Sequence, residues 1–344
     1  MFSFFTKKGP TTATINGQAI RVEPRETLLS AALRAGIDFP HNCRVGGCAA
    51  CKCKLLSGQV KELTETGYLL SDEELDQGYI LACQSVPKND IRVEVDLSAQ
   101  LMHRKVKGRI TAQEKLTHDI TRLTLQLEEN IPYKAGQFAN LSLDALPGIS
   151  RSYSFATPVQ ADAQVSFFVR KVQGGLFSTY INGHELLGQQ INLEGPQGDF
   201  WLRPADAPLL LIAGGSGLAP ILALLQEAVR NNVKRPVTLL FGAREERDLY
   251  ALAEISALAA QWPSEFRFIP VLSQAAADAA WSGARGLVTE QLAGLLPTSA
   301  HAYLCGPPAM IDSCVVILRQ HGVAREHIHA DRFTTQQDAL AASA

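Results

Sequence analysis

The sequence predicts a multidomain protein that combines an α+β module, an antiparallel barrel and an α/β parallel sheet. Three patterns predict it, and they follow one another along the 344 residues. A short α+β pattern surrounds a cysteine-rich loop, a strand-rich stretch with a two-residue period comes next, and apolar strands separated by helical stretches follow. The first is typical of a β-grasp module, the second of a closed barrel and the third of a Rossmann-like sheet. Two or three domains are expected at this length.

The composition narrows the class of protein. Hydrophobic residues make up 46% and charged residues 19%, which suits a soluble globular protein, and the net charge of −2 argues against a nucleic-acid-binding surface. No apolar run reaches the ~20 residues of a spanning helix, and the N-terminal stretch is too short for a signal peptide. We therefore expect a cytoplasmic protein without a transmembrane segment, whose seven cysteines are metal or redox ligands rather than disulfides.

The first segment, which ends near Leu97, has the pattern of a small α+β module. Two alternating stretches surround Asn16-Gly17, which is a hairpin signal, and a helical pattern is closed by Gly36. Ser98–Lys107 has no strong core pattern and is interpreted as a linker. The predicted elements are the strands Thr12–Ile15, Ala19–Val22 and Ile91–Val95 and the helices Thr27–Ala35 and Asp72–Asp76.

Four cysteines of this segment have the spacing of an iron–sulfur site. Three lie on one loop as C-x4-C-x2-C and the fourth follows after 31 residues; they are Cys43, Cys48, Cys51 and Cys83. This is the plant-type ligand pattern of a [2Fe–2S] cluster, which needs four thiolates. A zinc knuckle and buried structural cysteines are the alternatives, but zinc sites favour two CxxC pairs and the second pair is absent. Cys53 and Cys314 are interpreted as core residues.

The second segment, from about Val106 to Arg203, is rich in short strands. On one strand, Arg151 and Tyr153 share a face and Ser152 and Ser154 share the other. An arginine can fork onto a pyrophosphate, a tyrosine can lie against an aromatic ring, and a serine can hydrogen-bond a ring nitrogen. An exposed strand is the alternative. The predicted strands are Thr121–Leu127, Phe138–Leu143, Ser152–Ala156, Val165–Val172 and Ile191–Leu193.

A glycine turn in the same segment is a candidate phosphate site. Arg170 is followed by Gly174 and Gly175, and this turn opens a short helix that contains Ser178. Amide N–H groups and a hydroxyl in this arrangement can bind a phosphate. A simple hairpin turn is the alternative.

The third segment, from about Ala205 to Phe333, begins with a continuous apolar strand, Leu209–Ala213. Gly214-Gly215-Ser216-Gly217 follows it and opens a helix with Pro220 in its first turn. Glycines here let a pyrophosphate approach the backbone and the positive helix end. The motif is not a full GxGxxG, so the strand–turn–helix context carries the prediction. The other predicted elements are the helix Ala219–Val229 and the strands Val237–Phe241, Phe266–Leu272 and Ala302–Cys305.

The last predicted strand of this sheet ends in a second candidate motif, Cys305-Gly306-Pro307. It lies at the carboxyl edge of the sheet, where ligands of parallel sheets bind. A buried structural thiol is the alternative for Cys305.

These motifs, in this order and with a late aromatic residue, resemble the ferredoxin–NAD(P)H reductase superfamily. With the ferredoxin first, the chain is similar to the single-chain reductases of bacterial oxygenases, and most of all to the electron-transfer components of xylene/toluene monooxygenases. The resemblance implies a plant-type [2Fe–2S] ferredoxin domain, an FAD-binding β-barrel domain, an NAD-binding domain and a flexible tail. The expected bounds are 1–98, 104–204, 205–334 and 335–344.

The resemblance also implies roles for single residues. Arg151, Tyr153 and Ser154 match the flavin motif, at the pyrophosphate, the ring face and the N5 side. Ser154, Cys305 and Phe333 are accordingly expected to be catalytic. Gly175 and Ser178 match the flavin phosphate site, and Gly215, Gly217 and Pro220 match the dinucleotide loop. Cys305 and Gly306 match the strand end near the nicotinamide, and Phe333 matches the aromatic over the flavin.

Two features depart from the family pattern. Ala49 and Ala50 stand where the family commonly has Gly and then Thr or Ser, so a hydroxyl that could bond a cluster sulfur is missing. The chain also continues beyond Phe333, so this aromatic is not a free terminus.

The function implied by the resemblance is electron delivery. NADH passes a hydride to FAD, and single electrons leave through the [2Fe–2S] cluster to a terminal oxygenase that hydroxylates a hydrocarbon. The reductase of a Rieske ring-hydroxylating dioxygenase or of a deoxysugar pathway is one alternative. An iron–sulfur carrier or sensor with degenerate flavin and nucleotide domains is another, and the intact motifs argue against it. Nothing in the sequence requires more than a monomer.

The N-terminal arm leaves two interpretations open. Met1–Phe5 carries three phenylalanines ahead of Lys7 and Lys8. The arm is either a disordered tail or a foot on a membrane or a membrane-bound oxygenase, with the protein peripheral at the inner membrane.

The choice of nucleotide can also be predicted. NADPH-using relatives place an arginine after a serine at the end of the third strand, where this chain has Ser273-Gln274. The next loop, Ala275–Asp278, offers no cation, and Arg244 is followed by Glu245 and Glu246. The sequence therefore predicts NADH over NADPH, with Arg244 as the cation that could reach a 2′-phosphate.

Overall fold

A computed structural model describes residues 9–41, 44, 46, 49–64, 66, 70, 72–96, 104–275, 280–295 and 299–334. These residues fall into two compact units, one up to Leu101 and the other within Met102–Asp338. Among the described residues, no helix is both long enough and apolar enough to cross a membrane.

The first unit is a five-stranded mixed sheet with a helix packed against it. The strand order is β2-β1-β7-β3-β5, and β4 pairs with β6 in a separate ribbon. Asn16 and Gly17 both adopt positive φ, as the predicted two-residue hairpin requires, and Thr27 caps the first helix through Ser30 N at 3.2 Å. The elements are β1 Thr11–Ile15, β2 Gln18–Val22, α1 Leu28–Arg34, β3 Lys52–Ser57, β4 Val60–Glu62, α2 Asp72–Asp76, β5 Tyr79–Leu81, β6 Ser85–Pro87 and β7 Ile91–Glu94.

The second unit begins with a nearly closed antiparallel barrel. Its strand order is β11-β10-β13-β8-β9-β12, and a bridge between Phe155 and Phe167 links the two end strands. β8 begins inside the stretch interpreted as a linker, so that interpretation is wrong from Arg104 onward. The elements are β8 Arg104–Lys115, β9 Ile120–Leu127, β10 Phe138–Ser142, β11 Ser150–Ser154, β12 Gln164–Arg170, α3 Leu176–Gly183 and β13 Gln190–Gln197.

A six-stranded parallel sheet completes the second unit. The order is β17-β16-β15-β14-β18-β19, so the first strand of the sheet lies between the second and the fifth, and the topology switches between β14 and β18. Such a switch point opens a crevice for ligands at the carboxyl ends of the strands. The elements are β14 Leu209–Gly214, α4 Leu218–Arg230, β15 Val237–Ala243, α5 Leu252–Gln261, β16 Phe266–Leu272, β17 Ala284–Arg285, α6 Val288–Leu292, β18 His301–Gly306, α7 Pro308–Gln320 and β19 Ile328–Arg332.

The barrel and the parallel sheet share one hydrophobic core. Ile120 and Phe168 of the barrel pack in the same cluster as Leu218 of α4 and Tyr250, which precedes α5, and the Phe168 and Tyr250 rings meet edge to face at 5.6 Å. Together with the first unit, the two sheets confirm the predicted fold class.

Candidate functional site

Two of the four predicted cluster ligands lie together in the first unit. The backbone amide of Cys83 donates to Cys51 Sγ at 3.4 Å, and Gln84 Nε2 donates to Cys83 Sγ at 3.7 Å. Hydrogen bonds of this kind stabilise thiolates, so both positions suit ligands of a cluster. Cys43 and Cys48 lie outside the described residues.

The backbone around this loop is turned tightly. Arg44, Gly46 and Ala49 have φ values of 60°, 77° and 53°. A Cβ on Gly46 would lie 2.8 Å from Cγ of Gln84, so the loop closes on the residue after Cys83. Ala49 is left-handed at a position where the family commonly has glycine, and such a conformation costs a non-glycine residue about 1 kcal/mol.

The other cysteines of the first and third segments are core residues, as predicted. Cys53 is 1% exposed and packs in the core of the first unit, and Cys314 of α7 is fully buried. Burial raises the pKa of both thiols, for Cys314 to about 12. Neither side chain therefore has the environment of a thiolate ligand.

β11 carries the predicted flavin motif on the barrel. Ser152 is exposed and donates to Asn140 Oδ1 at 2.7 Å, while Ser154 is buried. Arg151 is half-buried, and its Nη1 donates to the carbonyl of Ser150 at 2.7 Å. Tyr153 lies 5.7 Å from the ring of Phe177, and burial raises its pKa, so the ring is a neutral surface beside α3.

The glycine turn before α3 is built as the sequence predicts, and its serine supports it from within. Gly174 has a φ of 74°, and Gly175 is the N-cap of α3. Ser178 Oγ accepts from Val172 N at 3.0 Å and donates to Gly175 O at 3.3 Å. A Cβ on Gly175 would lie 2.8 Å from that hydroxyl. Ser178 therefore shapes the turn from within, while Gly174 on its outer side is exposed.

The loop after β14 meets the loop after β18 at the switch point. Gly217 is the tightest contact, because a Cβ there would lie 2.2 Å from the carbonyl oxygen of Cys305. A Cβ on Gly214 would lie 3.0 Å from Cδ of Pro307, and one on Gly306 would lie 3.1 Å from Cα of Gly214. These glycines let the two loops touch. Ser216 is half-buried in the 3₁₀ turn Gly215–Gly217, and Pro220 is buried in the first turn of α4.

Asp331 brings the predicted catalytic positions together. Its Oδ2 accepts a hydrogen bond from Ser154 Oγ at 3.4 Å and lies 3.9 Å from Cys305 Sγ. These residues stand near the ends of β11, β18 and β19, so one barrel strand and two sheet strands converge. Burial, and then the charge of Asp331, raise the pKa of Cys305 well above its usual value, so this thiol is neutral. Phe333 follows this strand, donates its amide to Gly306 O at 2.9 Å and packs against the shared core.

Sequence reasoning missed the role of Asp331. It lies two residues before Phe333, but β19 was not predicted as a strand, so nothing aimed the carboxylate at Ser154. Only the pairing of β19 with β18, with Cys305 opposite Asp331, brings it to the site.

Arg170 and Arg244 lie where the barrel faces the nucleotide sheet. Arg170 Nη1 is 3.5 Å from the place of a Cβ on Gly215, at the dinucleotide loop. Both arginines pair with Asp119 Oδ2, at 3.2 and 3.3 Å. Arg285 is a further cation that the sequence did not place, because it is brought beside Leu272 by the pairing of β17 with β16. It donates to the carbonyls of Ala275 and Trp281 at 3.3 and 3.0 Å.

Comparison with known proteins agrees with this arrangement. Three family models match consecutive stretches: a 2Fe-2S iron-sulfur cluster binding domain at 13–88, an oxidoreductase FAD-binding domain at 107–201 and an oxidoreductase NAD-binding domain at 211–315. The xylene/toluene monooxygenase electron transfer component XylA of Pseudomonas putida is 41% identical over 334 residues, which cover 96% of this chain and 95% of that protein. The chain belongs to this family of iron–sulfur flavoprotein reductases.

Other relatives of the reductase serve different oxygenases. The reductase component of the naphthalene 1,2-dioxygenase/salicylate 5-hydroxylase systems of Ralstonia is 34% identical, over 91% of this chain and 95% of that protein. The crystal structure of the Amycolatopsis cytochrome P450 reductase GcoB superposes with a TM-score of 0.70 at 31% identity, over 94% of this chain and 99% of that one.

The described residues fit the three groups that the family implies. Cys51 and Cys83 offer sulfurs within reach of N–H donors, as a [2Fe–2S] cluster needs. Tyr153 offers a neutral ring face for FAD. The glycine loops after β14 and β18 bring two stretches of backbone together at the switch point, where a nicotinamide dinucleotide binds. The chain is therefore an oxidoreductase with FAD, [2Fe–2S] and nicotinamide nucleotide as its redox groups.

Proposed function

We propose that this reductase oxidises NADH and passes single electrons to a terminal monooxygenase that hydroxylates a hydrocarbon. The convergence of Ser154, Cys305 and Asp331 carries the proposal, because it sets a buried hydroxyl, a neutral thiol and a carboxylate between the barrel and the dinucleotide loop. FAD, when bound, accepts a hydride and releases electrons singly, and the cluster conducts them outward.

The barrel holds the flavin side of the site. We assign Arg151 to the flavin pyrophosphate, Tyr153 to the ring face and the Gly174–Gly175 turn to a phosphate. Ser152 supports this strand through Asn140, and Ser154 presents its hydroxyl to the isoalloxazine edge. The proposed barrel domain spans 104–204.

The parallel sheet holds the nucleotide side. We assign the Gly215–Gly217 turn and Arg170 to the pyrophosphate, and Cys305, Gly306 and Pro307 to the nicotinamide end. Phe333 covers the flavin face that the nicotinamide must enter. Asp331 fixes the Ser154 hydroxyl and the Cys305 thiol against each other, which sets the width of the slot between them. The proposed nucleotide domain spans 205–334.

Two artificial acceptors test the electron path. Ferricyanide can take electrons directly from a flavin, whereas cytochrome c is expected to need the cluster. Reductase loaded with FAD, iron and sulfide should reduce both with NADH. Removal of the cluster should abolish cytochrome c reduction and leave ferricyanide reduction. The proposal fails if the loaded protein oxidises no NADH.

We further propose that NADH is preferred over NADPH. Glu245 and the exposed Glu246 follow β15 and repel a phosphate dianion, while Ser273 and Gln274 after β16 carry no charge. A missing charge-assisted contact costs on the order of 1.5–3 kcal/mol, or roughly tenfold or more in affinity. Steady-state kinetics should show at least this preference in kcat/KM, and equal efficiency would contradict it.

The identity of the partner is the finer part of the proposal. The higher identity to the xylene/toluene monooxygenase component favours a hydrocarbon-hydroxylating monooxygenase over a dioxygenase.

The arm Met1–Lys8 lies outside the described residues, and we keep both of its interpretations, with the reductase a cytoplasmic monomer. Deletion of the arm should lower coupling to membranes that contain the oxygenase and leave NADH–ferricyanide activity intact if it is a membrane foot; unchanged coupling would mean that it is a tail.

A further inference from the structure

An ion-pair network joins the barrel to the nucleotide sheet. Asp119 Oδ2 lies 3.2 Å from Arg170 Nε on its own barrel and 3.3 Å from Arg244 Nη2 on the sheet. Arg244 Nε lies 3.3 Å from Asp248 Oδ2, and His118 Nδ1 lies 3.4 Å from Asp248 Oδ1. Because guanidinium groups already face both carboxylates, this group is an ion-pair network and not a cation site.

Asp119 is built to remain charged. Its side chain is only 16% exposed, its Oδ1 accepts from Thr117 Oγ1 at 2.9 Å, and its own amide donates to that hydroxyl oxygen at 3.2 Å. Burial raises the pKa of Asp119, but the Thr117 hydroxyl and the Arg170 guanidinium outweigh it and hold that pKa below its usual value. A partly buried carboxylate fixed in this way directs its cationic partners more strongly than a surface ion pair does.

Arg244 lies at the position from which Rossmann-like sheets recognise the adenosine ribose of the nucleotide. Arg244 is the first residue after β15, the second strand of the nucleotide sheet. In Rossmann-like sheets the residues that follow this strand read the adenosine ribose, an acidic side chain favouring the 2′-hydroxyl and an arginine accommodating the 2′-phosphate. Arg244 is therefore the residue that could turn the site toward NADPH, and its guanidinium is directed to two carboxylates instead.

We propose that Asp119 of the flavin barrel is a specificity-determining residue for the nucleotide. It pairs with Arg244 across the domain interface, together with Asp248, and so withholds this cation from a 2′-phosphate. The inference rests on the proposed NADH-oxidising function and adds a residue from outside the nucleotide domain to the selection of substrate.

Arg170 affects the binding of both nucleotides alike. It shares Asp119 with Arg244, but it lies beside Gly215, at the pyrophosphate loop. NADH and NADPH carry the same pyrophosphate, so a shift of Arg170 changes the affinity for both nucleotides. The ratio of the two affinities isolates Arg244.

Binding of 5′-ADP and 2′,5′-ADP to the FAD-loaded reductase, measured by calorimetry, tests the proposal directly. In Asp119→Asn the affinity for 2′,5′-ADP relative to 5′-ADP should rise about tenfold, the effect of one charge-assisted phosphate contact. The ratio of kcat/KM for NADPH and NADH should move in the same direction. Asp119→Asn combined with Arg244→Ala should return the binding ratio to the wild-type value.

Glu254→Gln is the matched control. Glu254 of α5 pairs with Arg122 of β9 across the same interface, and Arg122 is not part of the Asp119 network. This variant should leave the ratio unchanged. Arg244→Ala is the second variant if Asp119→Asn does not retain FAD. Because Asp119 and Asp248 already hold this guanidinium, its removal should leave the binding ratio unchanged.

Three results separate the outcomes. An unchanged ratio in Asp119→Asn, or a lowered ratio in Arg244→Ala where the first variant loses FAD, overturns the inference. A rise that persists without Arg244 also overturns it, because the effect then has another source. Failure of the wild-type reductase to oxidise NADH refutes the proposed function, whereas the binding ratio decides the role of Asp119 by itself.

Discussion

Gly217 is a position where the structure leaves little room for change. A Cβ there would lie 2.2 Å from the carbonyl oxygen, 2.5 Å from the carbonyl carbon of Cys305 and 2.9 Å from the amide nitrogen of Gly306. All three atoms belong to the backbone, so no side chain can rotate away. Gly217 itself has φ −62° and ψ −9°, which alanine adopts readily, and the effect of Gly217→Ala is therefore purely steric.

The expected losses of stability and of kcat/KM follow from this contact. Ordinary contact begins at 3.4 Å, so the start of α4 and the end of β18 must separate by about 1 Å. Overpacking of this kind costs about 1–3 kcal/mol of unfolding free energy. A misplacement of about 1 Å at a reacting site can cost roughly 100-fold in rate. We expect Gly217→Ala to retain FAD, as judged by its visible spectrum, and to lose most of its kcat/KM for NADH with ferricyanide.

Gly183→Ala is the control for this substitution. Gly183 ends α3, is exposed and has no atom within 4 Å of the place of a Cβ. Its stability should stay within about 0.5 kcal/mol of wild type, with unchanged kinetics. Wild-type kcat/KM and wild-type stability in Gly217→Ala would refute the packing argument.

Three further predictions concern the cluster, the convergence site and the response to acid. Cys83→Ser should lose the visible bands of the cluster and Cys53→Ser should keep them; equal loss in both would overturn the ligand assignment. Asp331→Asn should retain FAD and lower kcat/KM for NADH by roughly tenfold, the value of one charge-assisted hydrogen bond, and wild-type kinetics would speak against its role. Burial lowers the pKa of His301 to about 4 and of His329 to about 3. Below their unfolded pKa of about 6.5, the unfolded chain therefore binds protons that the folded chain does not. The free energy of unfolding then decreases as the pH is lowered, by up to about 1.4 kcal/mol per pH unit for each histidine. Urea midpoints between pH 7.5 and 5 should therefore fall less in His329→Gln than in wild type, and identical slopes would contradict the shift.

The three kinds of sheet and most of their elements can be predicted from the sequence alone. The reason is that the deciding signals are local: the Asn16-Gly17 turn, the two-residue period of β9, and the apolar run of β14 followed by glycines. The cysteine spacing and the ordered motifs likewise predict the redox groups, because they are local features of the sequence. β8 was not predicted as a strand because Gly108 occupies the buried position between Val106 and Ile110 and so interrupts the two-residue apolar period.

The contacts between distant residues depend on how the elements pack together. Asp331 reaches Ser154 only because β19 pairs with β18 and the sheet packs on the barrel, a contact between residues 177 positions apart in the chain. Asp119 and Arg244 are 125 positions apart, and Gly217 is tight only because the end of β18 lies against it. Local patterns carry no information about such long-range contacts, which arise when the buried faces of separate sheets find a common core.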